Sequence, residues 1–340
     1  STALALDSTQ SATLARGARG RLTVPLLPSE VGDAAITVTT TLADGTVLTK
    51  NLTLGIRRND PEISRQSRFT LAAGSGEITL DGDVFAGLAP GTGRAVFSAG
   101  PLARFDVPGL LTALDRYPWG CTEQVTSRAL PLLYFQQVAS GLGLTQQKSL
   151  DERIAEAVTD VLARQSRNGA FGLWRAGGSS DLWLDAYVSD FLTRARAEGH
   201  AVPDLAYEAA LRNLQNRVNA APDFEKGGEG IAYALYVLAR EGRAAIGDLR
   251  YYADARAAAF ATPLAQAQLG AALAAYGDPA RADAMFRRAS ARLGEGDDTG
   301  WRRDFGSHFR DRAAVLTLAS EAGSEVIDAA ALGTAVARGA

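Results

Sequence analysis

Up to about residue 105, apolar and polar positions alternate along the chain. "RLTVPLLP" (21–28) and "AAITVTTTLADGTVLTKNLTLGI" (34–56) are rich in Thr, Val, Ile and Leu, whose side chains suit the pleated, half-buried surface of a strand. Asp44-Gly45 stands between two such runs, and Gly supplies the positive φ that a tight hairpin needs. "SGEITLDGDVF" (75–85) and "GRAVFSAG" (93–100) read as further strands, and Asn59-Asp60-Pro61 breaks the pattern. The period predicts part of one β-sandwich over 1–60 and strands of a second β unit over 61–105. Asn51-Leu52-Thr53 has the form of a glycosylation acceptor, but in an alternating run it reads as a strand Thr.

From about residue 106 the period becomes 3.6, and Ala, Leu and Arg dominate, as helices prefer. Four helical runs end alike, at Gly199, Gly242, Gly277 and Gly323. Gly after the last turn supplies the left-handed cap. These glycines lie 43, 35 and 46 residues apart, a spacing that fits two helices per repeat. Helix pairs of this kind stack into a solenoid or close into an α/α toroid. No closing pattern is visible before residue 340, so a toroid would be cut short there.

Composition narrows the classes of function. The net charge is −3 with both signs interspersed, and no basic run points to nucleic acid. No apolar stretch approaches the ~20 residues that span a bilayer, and the opening "STALALDSTQ" lacks a signal-peptide pattern; it reads as the interior of a longer chain. One Cys and two His, His200 and His308, leave no internal disulfide and no Cys- or His-rich metal site. The bases are nearly all Arg, with Lys only at positions 50, 148 and 226. GC-rich codon usage accounts for that bias, and a nearby electrophile that selects against amines is the sharper reading.

The one Cys sits in "YPWGCTEQ" (117–124). Pro118 suits the entry to a helix, and "CTEQVTSRALPLLYFQQVASG" continues helically to Gly141, with Pro131 expected to bend or interrupt it. Cys121 then lies at a helix N-terminus, where unpaired N–H groups and the dipole favour a thiolate. Gln124, three residues on, returns over the same face. A Cys sulfur facing a Gln amide can displace ammonia and form an internal thioester. Glu could not replace Gln, because its carboxylate, with a pKa of about 4.3, resists attack. A buried, inert Cys is the plainer alternative.

The surroundings carry a resemblance. "YPWGCTEQVTSRALPLLY" resembles the thioester segment of the α2-macroglobulin and complement family, with its Gly-Cys-x-Glu-Gln motif, and bacterial members in particular. "QSRNGAFGLWRAGGSSDLWLDAYVSDFLTRARAEGHAVP" resembles the second helical repeat of that family's thioester domain, and "DFGSHFRDRAAVLTL" a late repeat. The resemblance implies a multidomain β + α chain: a macroglobulin-like β-sandwich segment over 1–60, the first segment of a CUB-like β domain over 61–105, and an α/α toroid thioester domain over 106–340. It implies that Cys121 and Gln124 form the thioester and that Tyr117 shields it. It also implies that Trp119 and Gly120 let the loop close over the bond and that Glu123 is the motif's acid. No cofactor and no metal is implied.

The function implied is that of a broad-spectrum protease trap serving bacterial defence. A lysine of an attacking protease would be captured covalently by the Gln124 acyl group, in a single turnover, with the rest of a longer chain supplying the bait. The setting implied is periplasmic, with membrane contact only through a lipid anchor upstream. Some relatives use a His to redirect the acyl group to hydroxyls. The stretch aligned to it, "NAAPDFEKGGEGIAYAL", has none, so amines are the expected nucleophiles. His200 reads as a solvated helix end, and His308 stays open as a general base.

Two other readings stand beside the trap. "QSRNGAFGLW" resembles the Gln…Gly…Trp repeats of terpene cyclases, and "GEGDDTGW" their acidic motif, with Asp297 and Asp298 as proton donors or metal ligands; a solvated acidic loop is the plain alternative. A cysteine hydrolase lacks an assignable orienting Asn or Asp. A helical-repeat module could instead bind non-covalently on a concave face.

Overall fold

A computed structural model describes residues 9–15, 17–57, 59, 63, 65, 67, 69, 71, 74, 76–95, 97, 120–134, 150–179, 181–294, 302 and 304–339. The chain divides into two compact units, Ser1–Arg94 and Ala95–Ala340.

The first unit contains one antiparallel hairpin, β1 (Gly32–Thr41) and β2 (Val47–Ile56), in register from Thr41 opposite Val47 to Gly32 opposite Ile56. The turn falls at the predicted Asp44-Gly45. Gly45 has φ 86°, its N–H donates to Leu42 O at 2.9 Å, and Asp44 accepts the Thr46 N–H at 2.9 Å. Asn51 lies inside β2 and faces Thr37, whose hydroxyl donates to it at 3.0 Å. The other expected strands do not form ladders among the described residues. "RLTVPLLP" carries Pro25 and Pro28, which cannot donate to a neighbouring strand. In "SGEITLDGDVF", Gly82–Phe85 is a 3-10 turn capped by the Asp81 carboxylate; a local side-chain acceptor outcompetes an absent strand partner. The described part of "GRAVFSAG" has no regular structure.

The second unit is helical: α1 (Thr122–Ala129), α2 (Leu150–Leu162), α3 (Leu182–Ala197), α4 (Asp204–Asn219), α5 (Glu229–Arg240), α6 (Ile246–Ala255), α7 (Pro263–Ala275), α8 (Pro279–Leu293), α9 (His308–Glu321) and α10 (Ala329–Gly339). Pro131 acts as expected: the chain passes from α1 into a 3-10 turn over Leu130–Leu133. The helices form two rows. The odd-numbered ones lie side by side in chain order, and each even-numbered helix packs against at least one odd-numbered neighbour. The sequence explains which row is inner. Helices α5 and α7 are buried on every face, with Ile231–Ala239 and Pro263–Leu273 continuously buried and Gln266 and Gln268 the polar side chains inside the second run; a helix this apolar must be surrounded by protein.

The four cap glycines behave as predicted, with φ between 62° and 88°. In each, the N–H after Gly returns to a carbonyl five residues back: His200 to Ala195, Arg243 to Leu238, Asp278 to Leu273, Ser324 to Ala319, at 2.7–3.0 Å. A Cβ at any of the four would meet nothing within 4 Å, so φ and not space demands Gly there.

Contacts between inner helices keep a constant offset in sequence. Ser127 meets Tyr187 and Tyr134 meets Arg194, both 60 residues apart. Arg194 reaches Glu321, 127 residues on, and the same offset carries Trp183 to Arg310, whose guanidinium sits 5.5 Å from the ring centroid. Equal offsets at two levels mean parallel helices, since each residue rises ~1.5 Å. The N-termini of α1, α3 and α9 therefore share one end. Between α3 and α5, Asp190 accepts from Arg194, Arg240 and the Tyr233 hydroxyl at 2.8–2.9 Å, and Arg194 also donates to the Tyr134 and Tyr236 hydroxyls at 2.8 Å.

Candidate functional site

Cys121 is the N-cap of α1, with φ −66° and ψ 164°, and is 5% exposed. Gln124 closes over it as a capping box. The Gln124 side-chain oxygen accepts the Cys121 N–H at 3.2 Å, and the Cys121 sulfur accepts the Gln124 backbone N–H. The side chain that usually supplies a Glu or Gln carbonyl to the cap thus places its amide group beside a thiol. The Cys121 N–H polarises the Gln124 carbonyl, drawing electrons from the carbon that the sulfur would attack.

Residue 122 locks this arrangement from below. Thr122 is fully buried; its N–H donates to Leu173 O at 2.8 Å and its hydroxyl to Gly172 O at 2.6 Å. The first free N–H of α1 is consequently spent on a loop about 50 residues away, while the N–H of Gln124 is given to the sulfur. That loop, 165–174, is the Gln…Gly-x-Phe-Gly stretch. Gln165 donates to Ala206 O at 2.9 Å. Gly169 has φ 90°, and a Cβ there would stand 2.0 Å from Ala209 O; at Gly172 it would stand 1.9 Å from Arg175 O. Neither position can hold a side chain.

Asp185 anchors the same loop. It is fully buried on α3 and accepts from Phe171 N at 2.7 Å, Asn213 at 2.9 Å and Arg217 at 2.8 Å. Burial pushes its carboxyl above the ordinary value, and these three donors pull the other way. An acid inside the apolar run "WLDAYVSDFL" is the sequence signal for a buried, multiply bonded carboxylate, as is Thr122 before an apolar helix face; the sequence reading above assigns neither to the site.

Glu123, half-buried, accepts the Ser127 hydroxyl at 2.7 Å, and Ser127 shares a 2.9 Å hydrogen bond with the Tyr187 hydroxyl. Burial holds the Tyr187 hydroxyl protonated, its pKa pushed up to about 12. The motif's acid is therefore tied along α1 and onto α3. Trp183, Tyr187 and Tyr233 pack their rings together with centroids 4.9–6.3 Å apart. Gly120 is half-buried, and no described atom lies within 4 Å of where its Cβ would stand.

Tyr117, Pro118 and Trp119 lie outside the described residues, as do Asp297 and Asp298 of the acidic motif and the helical continuation to Gly141. His200 follows Gly199 and closes the α3 cap through its backbone. His308 opens α9, behind the Ser307 cap.

No family model matches the chain. It is 32% identical over 340 residues to the α2-macroglobulin of Escherichia coli K12, an alignment that covers 94% of this chain and 20% of that protein; the chain thus spans about one fifth of its curated relative. The crystal structure of Salmonella α2-macroglobulin reacted with methylamine superposes with a TM-score of 0.70 at 28% identity, over 99% of this chain and 23% of that one. Trypsin-activated E. coli α2-macroglobulin superposes with a TM-score of 0.54 at 29% identity, over 66% of this chain and 16% of that one. With its buried Cys facing Gln in a Gly-Cys-x-Glu-Gln segment and 32% identity to a bacterial α2-macroglobulin over 94% of its length, the chain belongs to the bacterial α2-macroglobulin family.

Proposed function

We propose that this chain carries the covalent jaw of a protease trap. The observation that carries the reading is the Cys121–Gln124 capping box, with Cys121 buried and the pair pinned at a helix start. The sulfur attacks the Gln124 amide carbon; the S–C bond forms, the C–N bond breaks, and nitrogen leaves as ammonia with the thiol proton. The resulting acyl group has a thiolate leaving group that departs far more readily than an amine. A protease lysine then forms the N–C bond, the C–S bond breaks, and the amine proton passes to sulfur. Each molecule reacts once, so the chain is an inhibitor and not an enzyme. Activation of a relative by trypsin and reaction of another with methylamine support proteases and amines as the partners.

In this reading Tyr117, Pro118, Trp119 and Gly120 form the entry that covers the bond, and Glu123, tethered through Ser127, stiffens the first turn of α1. The two helical rows would form part of an α/α toroid over 106–340. Residues 1–60, with their β1–β2 hairpin, belong to a macroglobulin-like sandwich, and 61–105 to the first segment of a CUB-like domain. The full protein works in the periplasm, with a lipid anchor upstream.

Intact mass tests the reading. Freshly purified full-length protein should weigh less than its sequence by one ammonia. Methylamine should convert Gln124 to its methylamide and release one titratable thiol. A mass equal to the sequence, with Cys121 titrating before treatment and the Gln124 amide intact, refutes the thioester.

A further inference from the structure

Phe305 is the only described non-glycine residue with positive φ, at 51°. It is also 66% exposed. A bulky residue in the left-handed region is strained, and an exposed phenyl ring offers the core little in return. Strain of this kind persists only where neighbours over-determine it, and here they do. Arg302 forms paired hydrogen bonds to Asp304 and to Asp311, both buried, at 2.7–2.9 Å. Arg310 closes the other side on the Asp304 carboxylate at 3.1 Å, and Gly306 N donates to Asp304 at 3.2 Å. The residue before Phe305 is thus held from three directions.

The rigid turn aims the ring at the end of the unit where Cys121 lies. Phe305 packs on Trp183, centroids 5.4 Å apart, and Arg310 covers Trp183 at 5.5 Å. Trp183 precedes Tyr187 by one helical turn, and Tyr187 is bonded to Ser127 of α1. Carried back by the 60-residue offset between α1 and α3, the level of Trp183 is that of Glu123, two residues past Cys121. A group of aromatic rings therefore stands level with the start of α1, and Phe305 joins it through Trp183.

We propose that Phe305 is a positioning residue of the reactive site: its ring, presented in a strained turn, walls the Cys121–Gln124 bond against water and small amines from the α9 side. The proposal rests on the thioester reading above. A thioester lasts only where water is kept out, and a shield must stay in place without being part of the core, which an over-determined surface turn provides.

Phe305→Gly and Phe305→Ala in the full-length protein separate this role from simple packing. Glycine relieves the backbone strain and alanine does not, while both delete the ring. Thiol release by methylamine should be roughly tenfold faster in both variants, with the Tm of the Gly variant above that of the Ala variant and close to the parent's. Phe305→Tyr, which keeps the ring, should retain the parent's kinetics. Parental thiol-release rates in folded Phe305→Gly, in protein whose mass shows the bond intact, overturn the proposal and leave the thioester standing. Acceleration accompanied by an equal, large fall in Tm in both variants makes the ring part of the core and also overturns it. A parent protein with no ammonia-sized mass deficit refutes the thioester and this proposal together.

Discussion

Thr122→Val tests whether the loop at 165–174 places the reactive pair. Valine keeps the shape of Thr122 but cannot donate. Gly172 O then loses the Thr122 hydroxyl, at 2.6 Å its one partner among the described residues, while the Thr122 backbone bond to Leu173 O survives. A buried acceptor left unpaired costs about 1–3 kcal/mol, and each kcal/mol lowers Tm by about 2–4 °C in a unit of this size. A fall of about 2–12 °C in the thermal melt of the helical unit is therefore expected. The clamp also sets the pitch of the first turn, on which the Cys121–Gln124 approach depends, so the share of protein with the ammonia-sized mass deficit should drop by more than half. Thr122→Ser keeps the hydroxyl and loses one methyl, worth about 0.8 kcal/mol; it should retain the bond. Equal melting temperatures for the parent and the Thr122→Val variant, with undiminished mass deficit, would show that the loop neither steadies nor aims the site.

Gly169→Ala and Gly172→Ala would drive a Cβ to 2.0 and 1.9 Å from carbonyl oxygens and should cost more than about 3 kcal/mol each in urea titrations. Gly199→Ala, where φ alone objects, should cost only about 1 kcal/mol in the same assay. Asp190→Ala removes the acceptor shared by Arg194, Arg240 and the Tyr233 hydroxyl and should cost about 3–5 kcal/mol by denaturant melt. For Asp304, burial raises the carboxyl, but the Arg302 hydrogen bonds and the charges of Arg310 and Arg302 outweigh it and hold the pKa below the ordinary value of 3.8. Stability from Asp304 is thus complete above the unfolded pKa, near pH 4, and is lost as pH falls through the lower folded value. Tm measured below pH 4 should fall less steeply in Asp304→Asn than in the parent.

Much of the helical unit was legible because its signals are local. The cap glycines announce themselves by φ, whatever lies around them, and all four close the same backbone ring. Pro131 ends α1 because it has no N–H to give. Cys121 and Gln124 meet because three residues make one turn, a relation internal to α1. The hairpin at Asp44-Gly45 is local in the same sense, whereas the strands expected at 21–28 and 75–85 needed partners that periodicity cannot supply. Proline at 25 and 28 and the Asp81 cap decided those segments otherwise. What holds the candidate site is not local at all. Thr122 finds its acceptors 50 residues away, Asp185 draws its donors from a loop and from α4, and Phe305 meets Trp183, 122 residues before it in the chain. The reacting residues belong to one turn of helix and were written in the sequence. Their burial and the walls beside them arise from desolvated pairings between distant segments, which only the tertiary structure could decide.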